Sequence, residues 1–280
     1  MATSSPPGSA VIRIRLGARL RRLREARGIT AQQAASAIRA SDSKISRIEL
    51  GRHAAREIDV SDLLTLYGVT DPDERDELLG LASDALAPPW WHRYADVLPP
   101  WFQTYLGVEE AAISVQSYDS HFVPGLLQTA AYSSALIARS DFDAAEASAL
   151  LAIRAERISR FAAGGWRLTA IIDEAVLRRP VGRPSEFAAQ LEHLRDAAGW
   201  PGVSIRIRPL SAGAPPVPAG FTVLRFSGDD LSDVVFSEQL TTASYLDRPA
   251  DVARYTAAMS ALADTSAPPG DTAGILASLL

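Results

Sequence analysis

Cysteine is absent from the 280 residues, which excludes disulfides, thiolate nucleophiles and cysteine-ligated zinc or iron–sulfur centres. Histidine is scarce. His53, His92, His121 and His193 lack the spacing that brings two imidazoles to one metal, so no metal and no cofactor is expected. No apolar run approaches the roughly 18 residues of a membrane span. The opening MATSSPPGSA has neither the basic start nor the apolar stretch of an export signal, so a cytoplasmic protein without a membrane partner is expected. Lysine occurs once, at Lys44, against 27 arginines. With the abundant alanine this points to a GC-rich coding sequence, so arginine number alone says little about function.

A 47% hydrophobic and 22% charged composition suits a globular chain with a real core, and the length has room for a small domain and a larger one. Charge is distributed unevenly. Residues 11–57 hold twelve basic side chains against four acidic ones, Glu25, Asp42, Glu49 and Glu57, while the whole chain carries −5. A basic module on an acidic body directs polyanions to one end, although a charge run taken alone reads first as a solvated helix face.

Leu16, Leu20 and Leu23 recur at helical spacing, with Gly28 placed to end the helix. Thr30 and Gln33 form a capping box for a second short helix whose inward stripe is Ala34, Ala35 and Ile38. A turn from Arg39 to Ser41 leads into a third helix, Asp42 to Glu49, with Ile45 and Ile48 inward and Gly51 closing it. A fourth spans about 58–67. A fifth opens at Asp71 with Pro72 in its first turn and buries Leu78, Leu79 and Leu81. The expected domains are a flexible arm over 1–15, a helical DNA-binding module over 16–82, a Pro/Trp-rich linker over 83–100 and a larger domain over 101–280.

In that larger domain, helices are expected at 101–106, 125–139, 143–161 and 185–198, with a further stripe of Val252, Tyr255, Met259 and Leu262. Strands are expected near 112–118, 166–172, 203–207, 221–226 and 234–236. A helix crossing between two strands argues for a βαβ unit and a mixed sheet. The segment 211–220 reads as a loop.

Two short helices joined by a tight turn fit a DNA major groove about 12 Å wide. With Ile45 and Ile48 turned inward, Ser43, Lys44, Ser46 and Arg47 face the other way, and Arg47 suits bidentate donation to guanine. Lys44 suits guanine or phosphate. Thr30, Gln32 and Gln33 at the start of the second helix, with Ser41 and Arg52, are the expected backbone contacts. Periodicity by itself is equally compatible with a plain three-helix bundle; local charge and the serine-lysine-arginine face favour double-stranded DNA as the partner.

The run LGARLRRLREARGITAQQAASAIRASDSKISRIELGR resembles the phage-repressor or XRE type of helix-turn-helix, most specifically in its third helix. It departs from that family at Ala31, where glutamine usually meets a phosphate, and at Arg39, where glycine usually turns the chain. The stretches WWHRYADVLPPWFQTYLGVEEAA, YDSHFVPGLLQTAAY, DEAVLRRPVG and SYLDRPADVARY resemble the C-terminal domain of WhiJ-like actinobacterial regulators. The resemblance implies an α+β chain, a five-helix lambda-repressor-like domain followed by a larger mixed α/β domain. It implies an antitoxin-like transcription regulator, nucleoid-associated, with a small protein from a neighbouring gene as partner. A homodimer is expected because one short helix discriminates poorly and two half-sites about 10 bp apart multiply the discrimination. The alternative function is an antitoxin that mainly sequesters its partner and autoregulates.

Trp90, Trp91, Tyr94, Trp101, Phe102 and Tyr105 are expected to pack the second domain against the linker; a partner-binding hot spot is the other possibility. Asp173-Glu174 would point to opposite faces of a strand and so not converge on one substrate. No G-x-S-x-G, P-loop or H-E-x-x-H accompanies them, and no enzyme activity is expected. Arg206 and Arg208 read as a solvated sheet face, with a small acidic ligand or partner as the other reading.

Overall fold

The computed structural model describes residues 9–227 and 232–280. Two compact units divide the chain, the first running to Ala111 with a short stretch beginning at Phe226, the second comprising Ala112–Arg225 and Ser232–Leu280.

The first unit is helical: α1 Ser9–Ala26, α2 Ala31–Ala37, α3 Asp42–Glu49, α4 Glu57–Leu66, α5 Pro72–Asp84 and α6 Pro100–Ala111. One core joins the first five, built from Leu16, Leu20, Ala34, Ala35, Ile45, Ile48, Val60, Leu63, Leu64, Tyr67 and Leu78, with Leu23, Leu79 and Leu81 partly buried against it. Burying these side chains drives helices that are individually too short to persist.

The arm expected over 1–15 differs from this. Residues 9–15 form the opening turns of α1, and residues 1–8 lie outside the described residues. The helix extends because Ile14 packs on the turn after α3: a Cβ on Gly51 would lie 2.7 Å from Ile14 Cα. Arg13 is desolvated beside α6, which lowers its pKa against the pull of Glu110. The stretch expected as a linker is folded too. Trp90–Tyr94 make a 3-10 turn, Trp91 and Leu98 are buried, and Gln103 Nε2 on α6 donates to the carbonyls of Ala95 and Leu98 at 3.3 and 3.0 Å. Phe102 stacks on buried Tyr105 at 5.9 Å between centroids, so much of the aromatic cluster is packing.

The second unit is built on β1 Ser114–Asp119, followed by α7 Ala130–Ile137, α8 Ala144–Gly164, β2 Arg167–Asp173, α9 Glu174–Leu177, α10 Pro184–Ala197, β3 Val203–Arg208, β4 Phe221–Arg225, β5 Val234–Glu238, β6 Ala243–Leu246, α11 Pro249–Asp264 and α12 Thr272–Ala277. The sheet order is β3-β2-β1-β4-β5-β6, with β1, β2 and β3 parallel and the remaining pairs antiparallel. It is the mixed sheet expected from the sequence. Helix α11 covers one face through Met259 and Leu262, packed with Tyr118, Ile171, Phe221, Val223 and Val235. The outer edge of β3 is sealed by the C-terminal segment, where Ala267 N–H donates to Ile207 O at 2.9 Å and Thr272 Oγ1 to Ile205 O at 2.6 Å.

Two details differ from the sequence expectation. The helix expected over 125–139 is a 3-10 turn at Gly125–Leu127 and then α7, because Thr129 caps α7 by accepting from Tyr132 N–H at 3.2 Å. Arg208, expected on a solvated face, is only 2% exposed. It donates to the carbonyls of Gly213 at 2.8 Å and of Ala212 and Ala214 at 3.2 Å, fastening the 211–220 loop to the end of β3. Arg206 is half-buried and donates to Ala263 O at 3.4 Å.

Candidate nucleic-acid interface

Helices α2 and α3 are joined by a turn that ends α2 in a Schellman motif, with Arg39 N–H on Ser36 O at 3.2 Å and Ala40 N–H on Ala35 O at 2.9 Å. The same pairing of bonds closes α1 at Gly28, α3 at Gly51 and α4 at Gly68. Glycine supplies the left-handed residue at those three ends. Arg39 supplies it here, at φ +51°, the only non-glycine residue of positive φ among the described residues.

Helix α3 lies close across α1. A Cβ on Gly17 would come within 2.7 Å of Glu49 O and nearer still to Ile48 O, so only glycine allows this approach. Ile45 and Ile48 are 1% and 2% exposed, which leaves Ser43, Ser46 and Arg47 outward, all exposed. The exposed Arg47 guanidinium makes no ion pair with the described residues. At the start of α3, Ser41 Oγ accepts from Lys44 N–H at 3.3 Å and shares a 2.9 Å bond with Ser43 Oγ. Asp42, an exposed acid, accepts from Ser43 N–H at 2.8 Å. At the start of α2, Thr30 Oγ1 accepts from Gln33 N–H at 3.2 Å and Gln33 Oε1 accepts from Thr30 N–H at 2.8 Å, the expected capping box. Gln32 and Arg52 are exposed.

The family model of the domain described as "Domain of unknown function (DUF5753)" matches residues 102–278, well over half of the chain. The chain belongs to the DUF5753 family. A second model, described as "Helix-turn-helix domain", matches residues 15–78 of this DUF5753 protein and covers α2, α3 and the turn between them. The chain thus carries an N-terminal helix-turn-helix domain of the DNA-binding kind ahead of its DUF5753 domain. No curated protein and no solved structure matches it. Among the described residues no helix is long and apolar enough to cross a membrane.

Lys44 stands apart from the other expected contacts of the DUF5753 protein. Its Nζ is 2.9 Å from Asp59 Oδ2 on α4, and its side chain is 23% exposed. Asp59, buried, is also gripped by Arg56 at 2.8 and 3.1 Å. The Arg56 hydrogen bonds, and then Lys44, hold its carboxyl below the usual carboxylate range against the opposing effect of burial. A buried carboxylate attracts the nearest ammonium more strongly than open solvent does. Lys44 therefore fastens the front of α3 instead of reaching outward.

The rear of α3 is fastened by Glu49, which takes a forked bond from Arg24 of α1, Nε to Oε1 at 2.6 Å and Nη2 to Oε2 at 2.9 Å, with both side chains nearly buried. Arg24 Nη1 also donates to Ile29 O at 2.8 Å. Sequence reasoning missed this clamp. Arg24 and Glu49 are 25 positions apart and look like two more surface charges; only the Gly17 close approach brings them together.

Arg39 gives a direct test of the turn. A side-chain residue held left-handed costs about 1–2 kcal/mol, while glycine gives back about 0.4–1 kcal/mol through its freer unfolded chain. Arg39→Gly is expected to stabilise the first unit by about 0.5–1 kcal/mol, read from urea unfolding curves. A loss of stability would mean that the turn is unstrained.

The two acids at the end of β2 are engaged with different partners. Asp173 caps α9 by accepting from Ala175 N–H at 3.0 Å and takes a 3.3 Å bond from Tyr118 OH. Glu174 accepts from Leu210 N–H at 2.8 Å and pairs with Arg178, contacts that lower its pKa in that order.

Proposed function

We propose that this DUF5753 protein is a sequence-specific transcription regulator in which α3 reads base edges in the major groove, Arg47 foremost and Ser43 and Ser46 beside it. Thr30, Gln32, Gln33, Ser41 and Arg52 contact the phosphate backbone. The observation that carries this is an exposed, ion-pair-free Arg47 on a helix that Lys44 and Glu49 clamp at its two ends. A preorganised recognition helix keeps its binding energy for the DNA.

The regulator acts in the cytoplasm as a homodimer on two half-sites about one helical turn apart, since one short helix has too few contacts to select a site in a genome. The second unit binds the effector or the small partner protein that the resemblance implies. It performs no catalysis in this scheme, because Asp173 and Glu174 serve as caps and anchors.

Sequencing genomic fragments retained by the purified protein tests the whole scheme. The expected result is enrichment of a two-part motif with half-sites about 10 bp apart, and affinity that falls steeply with salt. Retained fragments without a common motif would remove the sequence-specific reading.

A further inference from the structure

Strands β1, β2, β3 and β5 run in the same direction, because β4 is antiparallel both to β1 and to β5. Their carboxyl ends therefore lie along one edge of the sheet and carry Asp119, Asp173, Arg208 and Glu238. In open sheets this edge is where small ligands sit, at the strand from which successive connections depart in opposite directions. That strand is β1. Its own chain goes on to β2 on one side, while β4 on the other side leads to β5 and β6.

Asp173 and Arg208 are occupied with the cap and the loop described above. Asp119 is different: its Oδ2 is buried and accepts no hydrogen bond. Burial pushes its carboxyl up to about 7; the Ser117 hydroxyl offsets part of that rise and the Glu238 charge adds to it. A buried oxygen left without a donor costs stability, so a fold that keeps one has a use for it.

Two guanidinium groups of α8 belong to the same cluster. Arg157 is 8% exposed and its Nη1 would lie 3.4 Å from a Cβ placed on Gly125. Arg154 donates to Gln128 Oε1, and its pKa is drawn down to about 10 by burial and then by the neighbouring Arg157. The loop after β1 is held by buried polar side chains. Gln128 Nε2 donates to Val123 O at 2.7 Å and Gln128 Oε1 accepts from Ser133 Oγ at 2.9 Å. Fully buried Gln190 grips Thr129 N–H at 2.7 Å and Leu127 O at 2.8 Å. Such a satisfied network fixes positions where an apolar core would serve stability alone.

We propose that the carboxyl end of β1 is the effector site of the second unit and takes a small zwitterion of amino-acid type, its ammonium on Asp119 and Glu238 and its carboxylate on Arg154 and Arg157. Two carboxylates and two guanidinium groups in one cluster, with the charges of Arg154 and Arg157 both bearing on Glu238, match a ligand that carries both charges. Because Oδ2 is sealed, entry requires movement of the segment just after β1, where His121 and Phe122 are exposed. The site rests on the second unit being the effector-binding half, and it is tested without DNA so that its failure is separate from failure of the DNA reading.

The full chain is melted with each common L-amino acid at about 10 mM, and with acetate, ethylamine and inorganic phosphate as single-charge controls. At least one amino acid is expected to raise the melting temperature by about 5 °C while no control does. Asp119→Asn is expected to abolish that rise and to leave the unliganded melting temperature equal or higher, since a buried carboxylate oxygen without a donor is removed. Glu238→Gln, at the strand end, is expected to weaken binding about tenfold with the fold intact. In calorimetry near pH 7, binding is expected to release protons, because an ammonium beside Asp119 favours its ionised form. The proposal is overturned by no response to any amino acid, by a response that a control reproduces, or by a lower unliganded melting temperature in Asp119→Asn.

Discussion

Arg47→Ala is expected to flatten sequence preference at one base pair per half-site while leaving the protein folded. Its side chain is exposed and makes no ion pair with the described residues, so its removal disturbs nothing inside the first unit. A bidentate arginine–guanine contact is worth about 1–3 kcal/mol of discrimination, so the preferred fragment should lose about 10- to 100-fold in affinity per half-site and a mismatched fragment much less. Arg52→Ala should instead weaken all fragments alike and reduce the salt slope, as a phosphate contact does. Fluorescence anisotropy with matched and single-substituted duplexes distinguishes the two. Equal loss on every duplex for Arg47→Ala would move that residue from base readout to the backbone.

The largest effect on stability is expected at Glu49. Glu49→Ala leaves the nearly buried Arg24 guanidinium with only the longer 3.6 Å pair to exposed Glu25, and breaking a buried pair from one side costs about 3–5 kcal/mol, of which the larger part is expected here. Against a total of about 5–15 kcal/mol for a domain, that is enough to populate unfolded first units at moderate temperature. Replacing both partners, as Arg24→Leu with Glu49→Leu, is expected to recover a large part of the loss, because an apolar pair carries no desolvation penalty. Urea unfolding of the single and double variants gives the coupling directly. A single-variant loss below about 1 kcal/mol would show the pair to be solvated and the clamp on α3 to be weak.

The two predictions separate what α3 shows from what holds it, and sequence and structure divide along the same line. Helical spacing of Leu16, Leu20 and Leu23, the Thr30–Gln33 capping box and the paired isoleucines of α3 are short-range patterns. Each involves residues within about two turns of one another, and backbone geometry alone translates them into structure. The strands of the second unit were legible for the same reason, being apolar runs of β-branched residues bounded by turns. Strand β6 and helix α12 were not, since β6 has only four half-buried residues and α12 is six residues long.

Long-range charge was the least legible. Lys44 looked like a DNA contact because Ile45 and Ile48 take the inward face of its helix, and Arg208 looked like a surface residue because it alternates with isoleucines. The folded chain carries the carboxylate of Asp59 to the first and a ring of loop carbonyls to the second, and both cations turn inward.

The amino-acid sequence by itself determined that a short helix near position 45 hides its isoleucines, that a helix-turn-helix stands at the N-terminal end and that a mixed sheet follows, because these are matters of periodicity and local capping. Only the tertiary structure decided which charges are available and which are consumed. A charge is drawn to the nearest compensating partner in space, and neighbours in space are set by packing, not by order along the chain.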